Sequence, residues 1–438
     1  MNPYLQYMYS YPHKTAYGPL YGVRLEQYAD RLSGSENSLY FHIPFCQSKC
    51  GYCNLFSVTG QSEAAMEQYV GAMERQARQW SASFPQDVEF ADLTLGGGTP
   101  LLLPERQLER VFRIATEGMG FEPAGRHIVV ETSPGQTTEE KLWLLKEHHV
   151  TRVSMGVQSF RGEDLEAIHR SHSVEQVERA LECIQKVGFP CVNLDLIYGI
   201  PGQTVSGLWQ SLERALAYEP EELFVYPLYI KKDTYLYNKG VRRPSQTYEM
   251  YVQLRAYLRE RGYRPYSMRR FVKETAVDVS GDVGSCGFGN TVSIGCGARS
   301  YIGNLHFCTP YSVRQSQCRE LMRKYIKEED YREIRHGYLL TDDEQKRRFI
   351  IKNILFGCGL SLTEYETAFS GEAQKEFPIL RDWVRRGYAK EQAGRILLTE
   401  QGFCLSDYLG PMLISDEVRE KMCRSDVSPL ELPGGGSS

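Results

Sequence analysis

A chain of 438 residues, 42% hydrophobic and 24% charged, is long enough for one large globular domain and a smaller one. Its net charge of −4 offers no basic field for nucleic acid, and no apolar run approaches the roughly 18 residues that a membrane span needs. Met1 to Tyr11 lacks the basic and apolar regions of a secretory signal, so the twelve cysteines are expected in a reducing cytoplasm, where metal-binding and catalytic roles outnumber disulfides.

Residues 1–38 form an N-terminal arm before the first strand. Its segment Tyr11-Pro-His-Lys-Thr-Ala-Tyr17 has neither helical nor strand period. It reads either as a packing arm or as one whose His13, Lys14 and Tyr17 face an acidic or aromatic ligand. Leu39 to Ile43 is a short apolar strand, and it leads into Cys46-Gln-Ser-Lys-Cys50-Gly-Tyr-Cys53. Pro44 and Gly51 keep that loop irregular, so three thiolates can converge from one turn. Cysteine thiolates hold iron–sulfur clusters, usually four per cubane, so three from one loop leave one iron open to a ligand. The bland alternative is three-quarters of a zinc site, for which His42 is poorly placed as the fourth ligand.

From here strands and helices alternate. The expected helices are Met66 to Trp80, Glu105 to Gly118, Glu139 to His149 (with Thr137 and Glu140 as a capping box), Val174 to Val187, Val205 to Tyr218 and Ser245 to Arg261. The expected strands are Phe90 to Leu95, His127 to Thr132, Arg152 to Val157, Cys191 to Tyr198 and Glu222 to Tyr229, short and mostly apolar on both faces. Six strand–helix units imply a parallel sheet with right-handed crossovers, too few to close an eight-stranded barrel. The predicted class is α/β: an incomplete (β/α)6 barrel over 39–262 with a C-terminal, mostly helical domain. Residues 263–318 are a glycine-rich segment expected to connect over the barrel, with Cys286, Cys296 and Cys308 as loop thiols that are either inert or substrate-facing. Residues 319–410 read as a winged-helix-like domain whose wing is a packing device, and 411–438 as a tail with a disordered Pro/Gly/Ser-rich end. Cys183, Cys191, Cys358 and Cys404 sit in apolar patterns and are expected in the core.

Four motifs in order, Tyr40-Phe-His-Ile-Pro-Phe-Cys46, Gly96-Gly-Gly-Thr-Pro100, Ser154-Met-Gly-Val-Gln-Ser-Phe160 and Asn193-Leu-Asp-Leu-Ile-Tyr-Gly-Ile-Pro201, resemble the oxygen-independent coproporphyrinogen III oxidase-like family of radical S-adenosylmethionine (SAM) proteins. The resemblance implies a 4Fe–4S cluster on Cys46, Cys50 and Cys53, the reaction centre, and one or two molecules of SAM. It places Tyr52 beside the adenine, with Ile197 as its apolar contact, and Tyr40 near the cofactor. Gly97, Gly98 and Thr99 would hold the methionine amine by backbone, and Glu131, Gln158, Arg170 and Asp195 would be polar contacts. It implies reductive cleavage of SAM to a 5′-deoxyadenosyl radical, hydrogen abstraction from an organic substrate such as a tetrapyrrole or methyl transfer, and a flavodoxin-type electron donor. Two departures bear on function. Leu55 stands where the oxidase has a further cysteine. Asn304-Leu-His-Phe-Cys-Thr-Pro-Tyr311 lacks the His-Asn…Tyr-Trp motif of the related heme chaperones, although His306 and Cys308 there leave an iron-binding chaperone as the alternative. The third reading is a metal-binding structural protein without catalysis.

Overall fold

The structure, a computed structural model, describes residues 3–8, 10–276 and 289–424. Six parallel strands lie side by side in chain order: β1 (Asn37–Ile43), β2 (Phe90–Gly97), β3 (His127–Thr132), β4 (Arg152–Gln158), β5 (Cys191–Tyr198) and β6 (Glu222–Pro227). The helices between them are α1 (Glu63–Ser81), α2 (Glu105–Arg113), α3 (Glu139–Glu147), α4 (Gly162–Ala167) with α5 (Val174–Val187), and α6 (Val205–Leu216). A further helix, α7 (Thr247–Glu260), follows β6. Parallel strands need such long crossovers, and the helices cover one face of the sheet.

Local chemistry starts these helices where the sequence changes period. Ser62, Ser173 and Thr204 each accept a backbone N–H of the first turn, and Ser173 forms a full capping box with Gln176. Before α3 the cap is Thr138, not Thr137, because the Thr137 hydroxyl pairs with Thr132 instead. The α2 helix ends at Arg113 and loosens into a π-helical turn over Ile114–Gly118.

The strands differ from the expectation of apolar residues on both faces. Leu39, Phe41, Ile43, Leu93, Leu95, Val130, Val153, Met155, Leu194, Leu223 and Val225 are buried in one core with the helices. Their alternate neighbours, Ser38, Tyr40 and His42 on β1, Arg152 and Ser154 on β4, Asn193 and Asp195 on β5, and Glu222 on β6, turn to the other face. The inner face of the curved sheet is therefore polar. Near its floor Glu222 bridges Arg152 (2.8 Å) and Arg270 (2.6 Å), all three buried, so each charge has a partner.

The glycine-rich segment does more than connect. It supplies strands at both edges: β7 (Tyr263–Pro265) and β8 (Arg270–Lys273) beyond β6, and β9 (Asn290–Ile294), β10 (Arg299–Ile302) and β11 (Leu305–Cys308) beyond β1. The β9 strand pairs with β1 in parallel, whereas β8, β10 and β11 run antiparallel to their neighbours. With β12 (His336–Leu339) and the short Gly18–Pro19 strand, the sheet has 13 strands among the described residues, and its edges stay apart. Helix α8 (Gln315–Lys327) packs on α1, and α9 (Asp342–Ile354) opens a second core. That core includes a three-stranded sheet of β13 (Leu360–Ser361), β15 (Arg395–Leu398) and β14 (Ala389–Gln392), together with Val418 and Met422 of the helix Asp416–Arg424.

The N-terminal arm belongs to both cores. Tyr4, Val23 and Leu25 pack in the first, and Met8, Tyr11, Ala16 and Tyr17 in the second. Tyr17 thus lies among C-terminal residues, beside Tyr338 and His336, and not at the barrel mouth. Cys358, expected in the core, is exposed, whereas Cys191 and Cys404 are buried. No helix among the described residues is long and apolar enough to cross a membrane.

Candidate active site at the strand ends

The cysteine loop is held from three sides. Gly51 N donates to Ile168 O (3.0 Å) and Leu236 N donates to Gly51 O (2.9 Å), so the loop is pinned at the end of α4 and beside the Thr234 turn. A Cβ on Gly51 would stand 2.9 Å from the Ile168 carbonyl oxygen, which is why glycine is needed there. Lys49 Nζ donates to Val313 O (2.6 Å) and the Tyr311 hydroxyl to Asn54 O (3.0 Å), tying the loop to the strand-rich segment. Cys46, Cys50 and Cys53 are all half-buried free thiols. Burial pushes Cys46 up to about 12 and raises Cys53, so without metal these two are thiols.

Gly97, Gly98 and Thr99 turn at the end of β2. All three N–H groups are committed: Gly97 to Glu131 Oε2 (2.9 Å), Gly98 to Ile43 O (2.8 Å) and Thr99 to Phe45 O (2.8 Å). Space is as tight as the hydrogen bonding. Gly97 has φ +115°, and a Cβ there would meet the His42 ring at 2.6 Å; one on Gly98 would meet the Phe45 carbonyl oxygen at 2.6 Å. The Thr99 hydroxyl lies 4.0 Å from Cys46 Sγ, so the turn and the cysteine loop form one wall.

His42 is the residue the sequence reading undervalued. Its Nε2–H donates to Phe56 O (2.9 Å), so its Nδ1 accepts from the Tyr40 hydroxyl (3.2 Å), and burial holds it down to about 4, neutral. Both nitrogens are spent, which removes it as a zinc ligand. The signal was available: residues two apart on a strand share a face, so Tyr40 and His42 had to meet.

The acids across the inner face, Glu131 and Asp195, are half-buried and form no ion pair among the described residues. Burial pushes Glu131 up to about 7 and Asp195 up to about 6; a Gly97 N–H on the first and Asn193 on the second (2.8 Å) offset it only in part. The Arg170 Nη1 donates to Cys50 Sγ (2.8 Å), its Nη2 to Gly156 O, and its buried Nε has no partner among the described residues. Gln158 has φ +73°, in the left-handed region, at a bulge where β4 slips against β5. Its amide lies over Gly156, where a Cβ would come within 2.9 Å of Nε2. Tyr52 packs beside Ile197 in a small separate apolar cluster with Ile168, Ile200, Leu228 and Leu236.

All ten predicted cofactor contacts thus lie around the cysteine loop or at the ends of β1 to β5 and the turns after them. Two of the three thiols of the later segment fall among the described residues. Cys296 is fully buried in the first core, where Tyr69 and Thr309 bond it and burial pushes its thiol well up; it does not reach the open side. Cys308 is half-buried on β11, and Cys286 lies outside the described residues. His306 is enclosed against Tyr301 (ring centroids 4.5 Å apart) and has no exposure.

Residues 40–215 match the model of the radical SAM superfamily. The heme chaperone HemW of Bacillus subtilis is 28% identical over 377 residues, covering 84% of this chain and 97% of that one. The oxygen-independent coproporphyrinogen III oxidase of Escherichia coli is 26% identical over 398 residues, covering 85% and 86%. The solved structure of the Escherichia coli coproporphyrinogen III oxidase (HemN), a radical SAM enzyme, superposes with a TM-score of 0.78 at 23% identity over 93% of this chain and 97% of that one, which shows the shared fold. Residues 40–215 thus carry a radical SAM domain, and most of the chain is similar to the coproporphyrinogen III oxidase-like proteins. The cofactors of a radical SAM protein are a 4Fe–4S cluster and SAM.

The residues present fit that pair. Among the described residues no three His, Cys, Asp or Glu side chains converge on one point as a single ion would require. A 4Fe–4S cluster takes each cysteine sulfur at a different iron, so its ligands need no common centre. SAM carries a carboxylate, an ammonium and a sulfonium. The orphaned Arg170 Nε suits the first, and the half-buried Glu131 and Asp195 suit the cations.

Proposed function

We propose that this chain is a radical SAM enzyme acting on a flat organic substrate in the sheet's polar interior, either by oxidative decarboxylation of a tetrapyrrole side chain or by transfer of a methyl or methylene carbon from a second SAM. Cys46, Cys50 and Cys53 would hold the cluster. The Gly97–Thr99 turn and Glu131 would hold the methionine amine, and Arg170 the carboxylate. Asp195 and Gln158 would take polar groups of the nucleoside, and Tyr52 with Ile197 would take the adenine. When bound, the cluster and SAM together supply a 5′-deoxyadenosyl radical for hydrogen abstraction. The chain's own part is to orient and to exclude water. The tight glycine turn would fix the amine, the Ile168–Ile197–Leu236 cluster would keep the adenine side dry, and the N-terminal arm packs Tyr4 on Tyr198 and Tyr7 on Tyr226 near the ends of β5 and β6.

The observation that carries this reading is charge complementarity: one orphaned guanidinium nitrogen and two half-buried carboxyls without an ion pair, around a three-cysteine loop. Protein reconstituted without oxygen and reduced with dithionite should convert SAM to 5′-deoxyadenosine, measured by chromatography. A full cluster that yields no nucleoside sinks the reading. A flavodoxin-type protein would be the natural electron donor, and the free thiols suit a reducing cytoplasm.

The second reading, a heme chaperone with little radical chemistry, has support in the relatives named HemW. The stretch Asn304–Tyr311 weighs against it, since it lacks the chaperone motif and His306 is enclosed. Hemin titration of wild type and His306→Ala separates the two: a heme absorbance shift lost in the variant favours the chaperone.

A further inference from the structure

The interior is charged unevenly. Its β2–β5 side carries Glu131 and Asp195. The opposite side, formed by the arm with β10 and β11, is positive. Lys14 Nζ sits 3.8 Å above the Tyr311 ring, whose hydroxyl bonds Asn54 O next to Cys53. Arg299 is the β10 residue opposite Cys308 and reaches the arm through Ser10 Oγ (2.8 Å). Lys14, His13, His42 and Cys308 all feel Arg299, and both histidines are buried and neutral.

Lys14 forms no ion pair among the described residues; a tyrosine ring is its closest attractive partner. The cluster thiolates do not need it. Arg170 already donates to Cys50, and Lys49 is the cation that most favours the Cys53 thiolate. A half-buried lysine on the arm, beside an arginine and without an acid among the described residues, is a costly arrangement unless an anion arrives. Resting on the function proposed above, we propose that Lys14, with Arg299 behind it, is the substrate-reading cation of this site, seating a carboxylate of the substrate between the arm and Tyr311. The substrate then lies with its acidic end at the arm and its reacting carbon toward the Gly97–Asp195 side.

The test uses cluster-loaded protein and coproporphyrin III as the polycarboxylate probe, with its tetramethyl ester as the uncharged control, both followed by fluorescence titration. Wild type should bind the acid more tightly than the ester. Lys14→Gln should weaken the acid by about tenfold or more, the worth of a charge-assisted hydrogen bond, while leaving the ester unmoved, and Lys14→Arg should restore most of the loss. Thermal melting of each variant checks that it folds. Equal binding of acid and ester by wild type, or equal losses for both in Lys14→Gln, overturns the proposal. So does an altered cluster potential in Lys14→Gln with unchanged acid binding, which would assign the lysine to the cluster. Formation of 5′-deoxyadenosine by wild type without substrate reports separately on the proposed chemistry.

Discussion

Two regions face each other across the sheet's interior, and they solve their electrostatics in opposite ways. On the cofactor side, at the ends of β2 to β5, polar groups are left short of partners: the Arg170 Nε, Glu131 and Asp195. On the closing side, where the arm meets the C-terminal domain, the buried carboxylates have partners within the chain. Asp407 is buried and accepts from both Arg269 and the Tyr229 hydroxyl. The Arg269 guanidinium lies 3.7 Å over the Tyr7 ring, Tyr7 stacks on Tyr229, and the Tyr11 hydroxyl donates to Glu344. Unmet buried polarity marks where a ligand is expected, whereas paired polarity marks where the chain locks itself. Lys14, with no carboxylate beside it among the described residues, departs from that pattern, as do the Arg269 Nε and the His306 ring nitrogens, which have no hydrogen-bond partner there.

That contrast yields measurable differences. The largest effect should come from Cys46→Ser, Cys50→Ser or Cys53→Ser, each lowering iron from about four to near zero per chain and abolishing SAM cleavage. Asp407→Asn should cost about 3–5 kcal/mol of stability, read by denaturant unfolding, because it strands the buried Arg269, yet leave SAM affinity unchanged. If it instead removes SAM binding while stability holds, the two regions are not separate. Gly98→Ala should do the reverse. Its Cβ would collide with a backbone carbonyl, costing about 1–3 kcal/mol and at least about tenfold in SAM affinity.

A pH series sharpens the comparison further. Glu131 rises from 4.5 to about 7 on folding and Asp195 from 3.8 to about 6. Between those limits the empty folded protein binds more protons than the unfolded chain, so this contribution to stability is fully present below about pH 4 and is lost as pH rises to about 7. A cationic ligand favours the ionised acids. SAM affinity measured by calorimetry should therefore strengthen as pH rises from about 5 to 7, and Glu131→Gln should flatten the upper part of that rise. The smallest effect expected is Tyr40→Phe, about 1 kcal/mol, through loss of the hydrogen bond that orients His42.

The cofactor side was legible because its residues come in short local runs after strands, and the family resemblance of those runs pointed to the Gly97–Thr99 turn, Gln158 and Asp195. What spacing could not give was orientation: Arg170 turns to Cys50, and Gln158 occupies a bulge. The alternation fixing a polar inner face was also present in Ser38, Tyr40 and His42, but apolar neighbours masked it. The closing side was not legible. Tyr7 meets Tyr229, and Tyr11 meets Glu344, across hundreds of residues with no shared period. Nor does composition reveal that a glycine-rich stretch becomes edge strands, since backbone pairing at β9 to β11 depends on β1 already being in place.

The most direct measurement is the electron paramagnetic resonance spectrum of the dithionite-reduced, fully reconstituted protein before and after SAM is added. Three cysteine ligands with one iron free to take the nucleotide predict a changed signal on addition, reduced or absent in Arg170→Gln. An identical spectrum with and without SAM, in protein carrying its full iron and sulfide, would contradict the account.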